Sequence, residues 1–281
     1  MAKYILGAIA TFSLIILLAI TIMLFANAIP FFGEYSAFDF LLGNRWSPAA
    51  DPPLLGILPL FWGSLMVTFV AMVFALPIGI ATALYLHGIA PTFIRETLKP
   101  LIEILSSIPS VVYGLFGLTI MAPFMQKLLS LPIGLCAFTT GIVLGFMVIP
   151  IVVSVAEDAL DAVPKSYNEA SLALGSTRWE SLVKVVFPAA KSGIFAACLL
   201  SFSRAIGETM TVLMIAGGAA QISLSPFVPM RPMTMAIAAE MGETPQGSTH
   251  FHALFAVGAV LFLVTLIINL IANKYAKKPI K

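Results

Sequence analysis

The sequence predicts an all-α integral membrane protein with six transmembrane helices in a single domain, residues 1–281. Three observations carry that expectation. Hydrophobic residues make up 60% of the chain and charged residues only 10%, where a soluble domain carries about 25% charged residues. Mean hydropathy is +1.03, so most of the surface must face something apolar. Six apolar runs also reach the length of about 20 residues that a bilayer crossing needs.

The runs fall at about 5–28, 58–86, 101–126, 131–155, 192–217 and 252–273. In the first, Lys3 precedes an uncharged stretch from Tyr4 to Gly33, and Ala26-Asn27-Ala28 resembles a signal-peptidase site. A cleavable signal has an apolar core of about 7–15 residues, and this one is longer, so a retained span is expected. Pro77, Pro109, Gly114, Gly145, Pro150 and Gly207 interrupt the later runs, which membrane helices tolerate when neighbours satisfy the freed backbone groups.

An even number of spans places both termini on one side. Lys3, Arg95, Lys99, Lys165, Arg178, Lys184, Lys191, Lys274, Lys277, Lys278 and Lys281 then share that side, against Arg45, Lys127 and Arg231 on the other. The bias makes the first face cytoplasmic. Two long connections, about 29–57 and 218–251, lie outside. Phe31, Phe32 and Trp46 in the first of these, and Trp62 just beyond it, either mark the interface as an aromatic belt or form a docking surface for an external partner. The net charge of +2 gives no reason to expect nucleic acid, and Cys136 and Cys198 support neither a disulfide framework nor a metal motif.

Between the fourth and fifth runs, residues 157–190 are polar yet patterned. Ser166-x-x-Glu169 and Thr177-x-x-Glu180 both read as capping boxes. Gly175 suits a helix carboxyl cap, and Pro188 a helix stop. Two short helices meeting at Gly175 follow, with Leu172, Leu174, Trp179, Leu182, Val185 and Val186 as their apolar residues. Such a rigid knob either packs on its own bundle or engages another chain.

Ionisable residues inside spans are costly, roughly 2.5–3.5 kcal/mol each on insertion scales. Arg204 and Glu208 lie in the fifth run, four residues apart and so on one helical face. Either they form a structural ion pair or they line a path for an anion, for which a guanidinium fork is well suited. Glu103 follows Lys99 by one turn, which offers it a neutralising partner. Ser106, Ser107, Pro109, Ser110 and Tyr113 come next; the hydroxyls either repay the carbonyl freed by Pro109 or offer donors to a dehydrated anion. His87, His250 and His252 are too scattered for a metal site, and no metal residues are assigned. No HExxH, GxSxG, facing di-aspartate or GxxxxGK[ST] pattern occurs, so no catalytic residues are assigned and no phosphate-cradling ATPase loop is expected in this chain.

The knob resembles the EAA loop of bacterial ABC importer permeases. Glu169, Ala170 and Ser171 stand for the EAA triplet, Gly175 for the glycine, Val185 for the isoleucine, and Phe187-Pro188 for the closing Leu-Pro. Ser171, Val185 and Phe187 depart conservatively. The stretches Ile102–Leu118, Ser203–Gly218, FLLGNRWSP, LPLFWGSL and LFAVGAVLFLVTLIINLIA extend the resemblance to the phosphate-specific ABC permeases, and to the C-type (PstC-like) subunit more than the A-type.

The resemblance implies a MetI-like permease fold with a cytoplasmic coupling helix, placed in the bacterial inner membrane. Glu169, Ala170, Ser171, Gly175, Trp179 and Pro188 would engage an ATPase, and Arg204, Glu208, Ser110 and Tyr113 would lie on the substrate path or gate. Implied partners are a second, A-type phosphate permease subunit, two ATPase subunits carrying ATP and Mg, and a periplasmic phosphate-binding protein. This chain would hold no cofactor and work by alternating access. A molybdate or sulfate permease, or an ATP-independent transporter, is the competing expectation.

Overall fold

The computed structural model describes residues 2–276; Lys277, Lys278 and Lys281 of the basic count lie outside them. The chain is helical almost throughout. The first helix, α1, runs Ala2–Ala28. After the short helices α2 (Phe31–Glu34) and α3 (Ala37–Leu42) comes a small antiparallel ribbon, β1 (Trp46–Ser47) against β2 (Leu54–Leu55). Then follow α4 (Leu58–Gly88), α5 (Thr92–Ser107), α6 (Ser110–Leu128) and α7 (Ala137–Asp161). The knob is α8 (Lys165–Ala173) and α9 (Arg178–Ala189). Helices α10 (Lys191–Ile206), α11 (Met210–Ile215), α12 (Met233–Glu240) and α13 (Thr249–Ala276) complete the fold.

Among the described residues, five helices are long and apolar enough to cross a membrane: α1, α4, α6, α7 and α13. Helix α10 has 16 residues, about 24 Å at 1.5 Å per residue and short of a core of about 30 Å. It needs a neighbour to complete a crossing. One candidate is α9, bent from it by 69°; the other is α11, beyond a break at 207–209.

Three of the expected runs differ from the helices found. The run 101–126 is split at Ile108–Pro109: both residues are extended, with ψ 127° and 138°. Proline biases the residue before it away from helix, so α5 stops and α6 starts afresh. The run 131–155 is shifted, because Leu131–Cys136 lies outside helix and α7 begins only at Ala137. The run 192–217 is interrupted at Gly207-Glu208-Thr209.

Helices α4 and α7 form the centre. Ala71, Ala75, Gly79 and Ala83 recur every four residues on α4, and all four are buried. Across from them Gly141 and Gly145 admit Val70 and Phe74 of α4, while Gly79 admits Val152. Small residues let the two backbones approach, as membrane interfaces require when burial alone gives no drive for association. Around this pair Ala205 of α10, Val212 of α11 and Ala216 just after it join one buried cluster.

The two long connections fold together as a cap. Phe31, Phe40, Trp46, Leu55 and Met233 pack with Leu254 and Val257 of α13. This corrects the aromatic-belt alternative for Phe31 and Trp46, which are 0% and 6% exposed. Their rings supply a core to a segment that would otherwise be a long exposed loop. At the opposite end Ala83, Leu160, Val163, Leu182, Val186 and Ile194 join the knob to the bundle.

Candidate functional site

Two regions gather the residues singled out in the sequence. The first is built from the two helix breaks. Thr211 on α11 donates its hydroxyl to the Ser110 carbonyl at the start of α6, 3.0 Å away. The breaks at 108–109 and 207–209 are therefore neighbours. Glycines on α6 make this possible: a Cβ at Gly114 would lie 2.6 Å from Met214 Sδ, and one at Gly117 would overlap Ile215.

Arg204 pairs with Glu208 across that second break. The partners are unequal, with side chains 46% and 4% exposed. Thr234 of α12 donates to the Glu208 carbonyl at 2.7 Å, which fixes the broken backbone to the cap. The buried carboxylate thus holds an arginine whose side chain is half-exposed. Tyr113 packs against the cluster containing Ala205 and Val212, and its hydroxyl donates to the Leu105 carbonyl at 3.0 Å. That bond spans the α5–α6 break, so in this state the Tyr113 hydroxyl is engaged with backbone. Ser106 and Ser107 likewise bond the Glu103 and Ile104 carbonyls at 2.6 and 2.7 Å, repaying backbone groups near Pro109. The structure therefore brings Arg204, Glu208, Ser110 and Tyr113 to one junction.

The second region is the knob. Its inner side is buried: Ser171, Ser181, Leu182 and Val186 face the bundle, and Ser181 donates to Asn168 at 2.7 Å to tie α8 to α9. Its outer side is open, with Leu174 89% and Trp179 56% exposed. Both belong to the apolar residues of the knob, for which the sequence leaves open packing on the bundle or contact with another chain. Here neither packs on the bundle, and Glu169 and Ala170 are exposed as well.

Gly175 adopts φ +89° at the turn, a backbone state that L side chains resist. The Thr177–Glu180 capping box is complete: Glu180 accepts from the Thr177 amide at 3.1 Å, and the Glu180 amide donates to Thr177 Oγ1 at 3.2 Å. Glu180 also pairs with Lys184. The Thr177 backbone bond, the Thr177 hydroxyl and then Lys184 hold the carboxyl at about 2.

Two knob expectations need correction. The Ser166–Glu169 box does not form, because Pro164 takes the cap position and α8 already begins at Lys165. Pro188 does not end its helix. A wide π-type turn over Leu182–Val186 precedes it, and the helix runs on to Ala189 before bending. The wider turn relieves the clash that a proline ring makes with the carbonyl four residues back. Pro123 follows the π-type turn Gly117–Met121 in the same way.

Sequence reasoning missed two ionic groups. At the knob's base, Glu157 is 0% exposed and meets Arg95 at 3.0 Å and Lys99 at 3.1 Å. Asp161 meets Arg95 at 2.9 Å and His87 at 2.6 Å. Lys99, expected to neutralise Glu103, is thus turned toward Glu157. The signal was present as two acids and two cations each one turn apart, at 157/161 and 95/99. In the cap, Glu240 gathers Trp46 Nε1 at 3.1 Å, Arg231 at 2.7 Å and His250 at 2.8 Å. Burial alone would raise its pKa. The bonds from His250 and Trp46 and the Arg231 charge outweigh that and lower it.

Comparison with known proteins follows the same outline. Residues 75–279 match the family model described as the binding-protein-dependent transport system inner membrane component. A probable ABC transporter permease protein, YqgH of Bacillus subtilis, is 37% identical over 91% of this chain and 85% of its own. The phosphate transport system permease protein PstC of Mesorhizobium japonicum is 32% identical, covering 95% of this chain and 86% of the relative. Among solved structures, an inward-facing MetNI methionine ABC transporter aligns with TM-score 0.60 at 22% identity, over 77% of this chain and 92% of that one. A bacterial alginate ABC transporter in complex with an alginate-bound periplasmic protein aligns with TM-score 0.66 at 15% identity, over 98% and 94%.

Proposed function

The chain belongs to the family of binding-protein-dependent transport system inner membrane components, and from that premise we propose that it is the C-type permease subunit of an ATP-driven inorganic phosphate importer. The observation that carries this reading is likeness to phosphate permeases along nearly the whole chain, 95% of it in one case. At that coverage the match is not confined to one segment of the chain.

The open outer side of the knob supports the roles that we assign to it. Glu169, Ala170, Gly175, Trp179 and Pro188 belong to the face that seats in an ATPase subunit, with Leu174 and Trp179 as its apolar tip. Ser171 supports that face from the buried side. Two such subunits, a second permease of the A-type and a periplasmic phosphate-binding protein complete the assembly. ATP and Mg reside in the ATPase chains, and this chain holds no cofactor. The knob and the basic residues around it lie cytoplasmic, with both termini, and the cap faces outward.

The fifth crossing is α10 continued by α11. The alternative, α9, carries Arg178, Glu180 and Lys184 and a solvent-type capping box, which suits water and not lipid. The Arg204–Glu208 pair then sits at a break inside that crossing. An arriving phosphate competes with Glu208 for the guanidinium of the half-exposed Arg204 side chain. The buried carboxylate returns Arg204 to its resting partner, so the anion is admitted but not trapped. Ser110 and Tyr113 line the same junction.

The test is reconstitution with both permease types and the ATPase in vesicles, with binding protein supplied on the side that the cap faces. Uptake of phosphate that needs ATP and exceeds molybdate and sulfate supports the reading. Preference for another oxyanion reassigns the substrate, and uptake without the ATPase rejects the whole scheme.

A further inference from the structure

Helix α5 is attached in an unusual way. None of its residues is buried, and Phe93, Leu101 and Ile104 are 79%, 51% and 60% exposed. Its apolar packing is limited to the half-buried Ile94 and Ile102. Toward α7 it presents two cations one turn apart, Arg95 and Lys99. Both meet the fully buried Glu157, and Arg95 also meets Asp161.

That attachment is at a mechanical junction. Asp161 is the last residue of α7, and α8 of the knob begins at Lys165. At its other end α5 stops at Ser107, where the Tyr113 hydroxyl reaches back to the Leu105 carbonyl, and Ser110 meets Thr211 beyond Glu208. His87, at the end of α4, joins the same group through Asp161, and Glu103 lines the cleft between Lys99 and Glu157.

We propose that Glu157, Arg95, Lys99 and Asp161 form a clasp that positions α5 on the base of the knob, so that movement of the knob reaches the α5–α6 break and the Arg204–Glu208 junction. An ionic clasp suits this task. It fixes one helix at two points a turn apart while leaving its apolar surface free, whereas a packed interface would bind α5 along its length. These four are positioning residues: they need not touch the transported anion.

The proposal rests on the permease reading, and the experiment separates the two. The complete transporter is reconstituted, and phosphate uptake and ATP hydrolysis are measured in the same vesicles for the unaltered chain and for Arg95→Gln, Glu157→Gln and Arg95→Lys. ATP-dependent uptake by the unaltered chain must hold first; its absence rejects the permease reading itself. Given that, Arg95→Gln and Glu157→Gln are expected to assemble and hydrolyse ATP while phosphate moved per ATP falls roughly fivefold or more. Arg95→Lys, which keeps the charge, is expected to restore at least half of the ratio. If Glu157→Gln does not assemble, Arg95→Gln decides, since that side chain is 37% exposed and its loss leaves Lys99 on Glu157. An unchanged ratio in assembled Arg95→Gln overturns the proposal. So does a fall of uptake and hydrolysis in step, which is what a purely structural role would give.

Discussion

The unequal burial of Arg204 and Glu208 decides how their pair behaves. Breaking a fully buried pair by removing one partner costs about 3–5 kcal/mol, because the remaining charge is stranded. Here the arginine is 46% exposed, but the partner left behind, Glu208, is only 4% exposed, so removing the arginine strands a buried carboxylate. Arg204→Ala is therefore expected to destabilise the chain by up to about 3–5 kcal/mol, with phosphate uptake lost. Arg204→Lys keeps the charge but not the fork, and should retain uptake at reduced affinity. Normal uptake by an assembled Arg204→Ala complex would remove the residue from the path.

At the scale of elements, the knob turn makes two predictions. A Cβ at Gly175 would meet open space, with nothing within 4 Å, yet the residue holds φ +89°. Gly175→Ala therefore costs backbone strain alone, about 1–2 kcal/mol. Weaker binding of the ATPase subunit with an intact bundle is the expected result, measured by co-purification. The second prediction is set by Glu180. Its folded value, about 2, lies below the ordinary 4.5, so its contribution to the knob is full above about 4.5. It fades as pH falls through that value toward 2, and is gone below 2. Fluorotryptophan NMR, with Trp179 as reporter, should show the knob loosening in that window and Glu180→Gln loosening already at neutral pH. The elements themselves were partly legible. Hydropathy locates α1, α4 and α13 within a few residues, and the Thr177–Glu180 cap and Gly175 turn needed only local chemistry. The breaks at 108–109 and 207–209 were hidden because hydropathy averages over them. Pro109 and Gly207 were visible, but only tertiary contacts such as Thr211 to Ser110 make a full stop cheaper than a kink. The clasp was overlooked for a related reason: its pairs join helices 62 and 66 positions apart, a separation that local pattern does not encode.

At the scale of the molecule, burial falls steeply from centre to edge. The most apolar window of α7 is 61% buried inside the chain, that of α4 33%, and that of α1 0%. Composition does not reveal this gradient, since α1 is at least as apolar as α7. What differs is the partner: α7 meets protein through glycines and alanines, and α1 offers bulky aliphatic side chains that lipid or another subunit must cover. Equal changes of volume should then have unequal effects. A Cβ at Gly79 would already lie 2.6 Å from Val152 Cγ1, so Gly79→Leu overpacks the α4–α7 contact at a cost of about 1–3 kcal/mol. Ile15→Ala removes a side chain that is 56% exposed and should stay within about 0.5 kcal/mol in the isolated chain. Thermal unfolding in detergent compares them directly, and repeating it on the assembled transporter locates the cover of α1. If Ile15→Ala becomes costly only there, a protein partner lies against α1. If it stays neutral in both, lipid does.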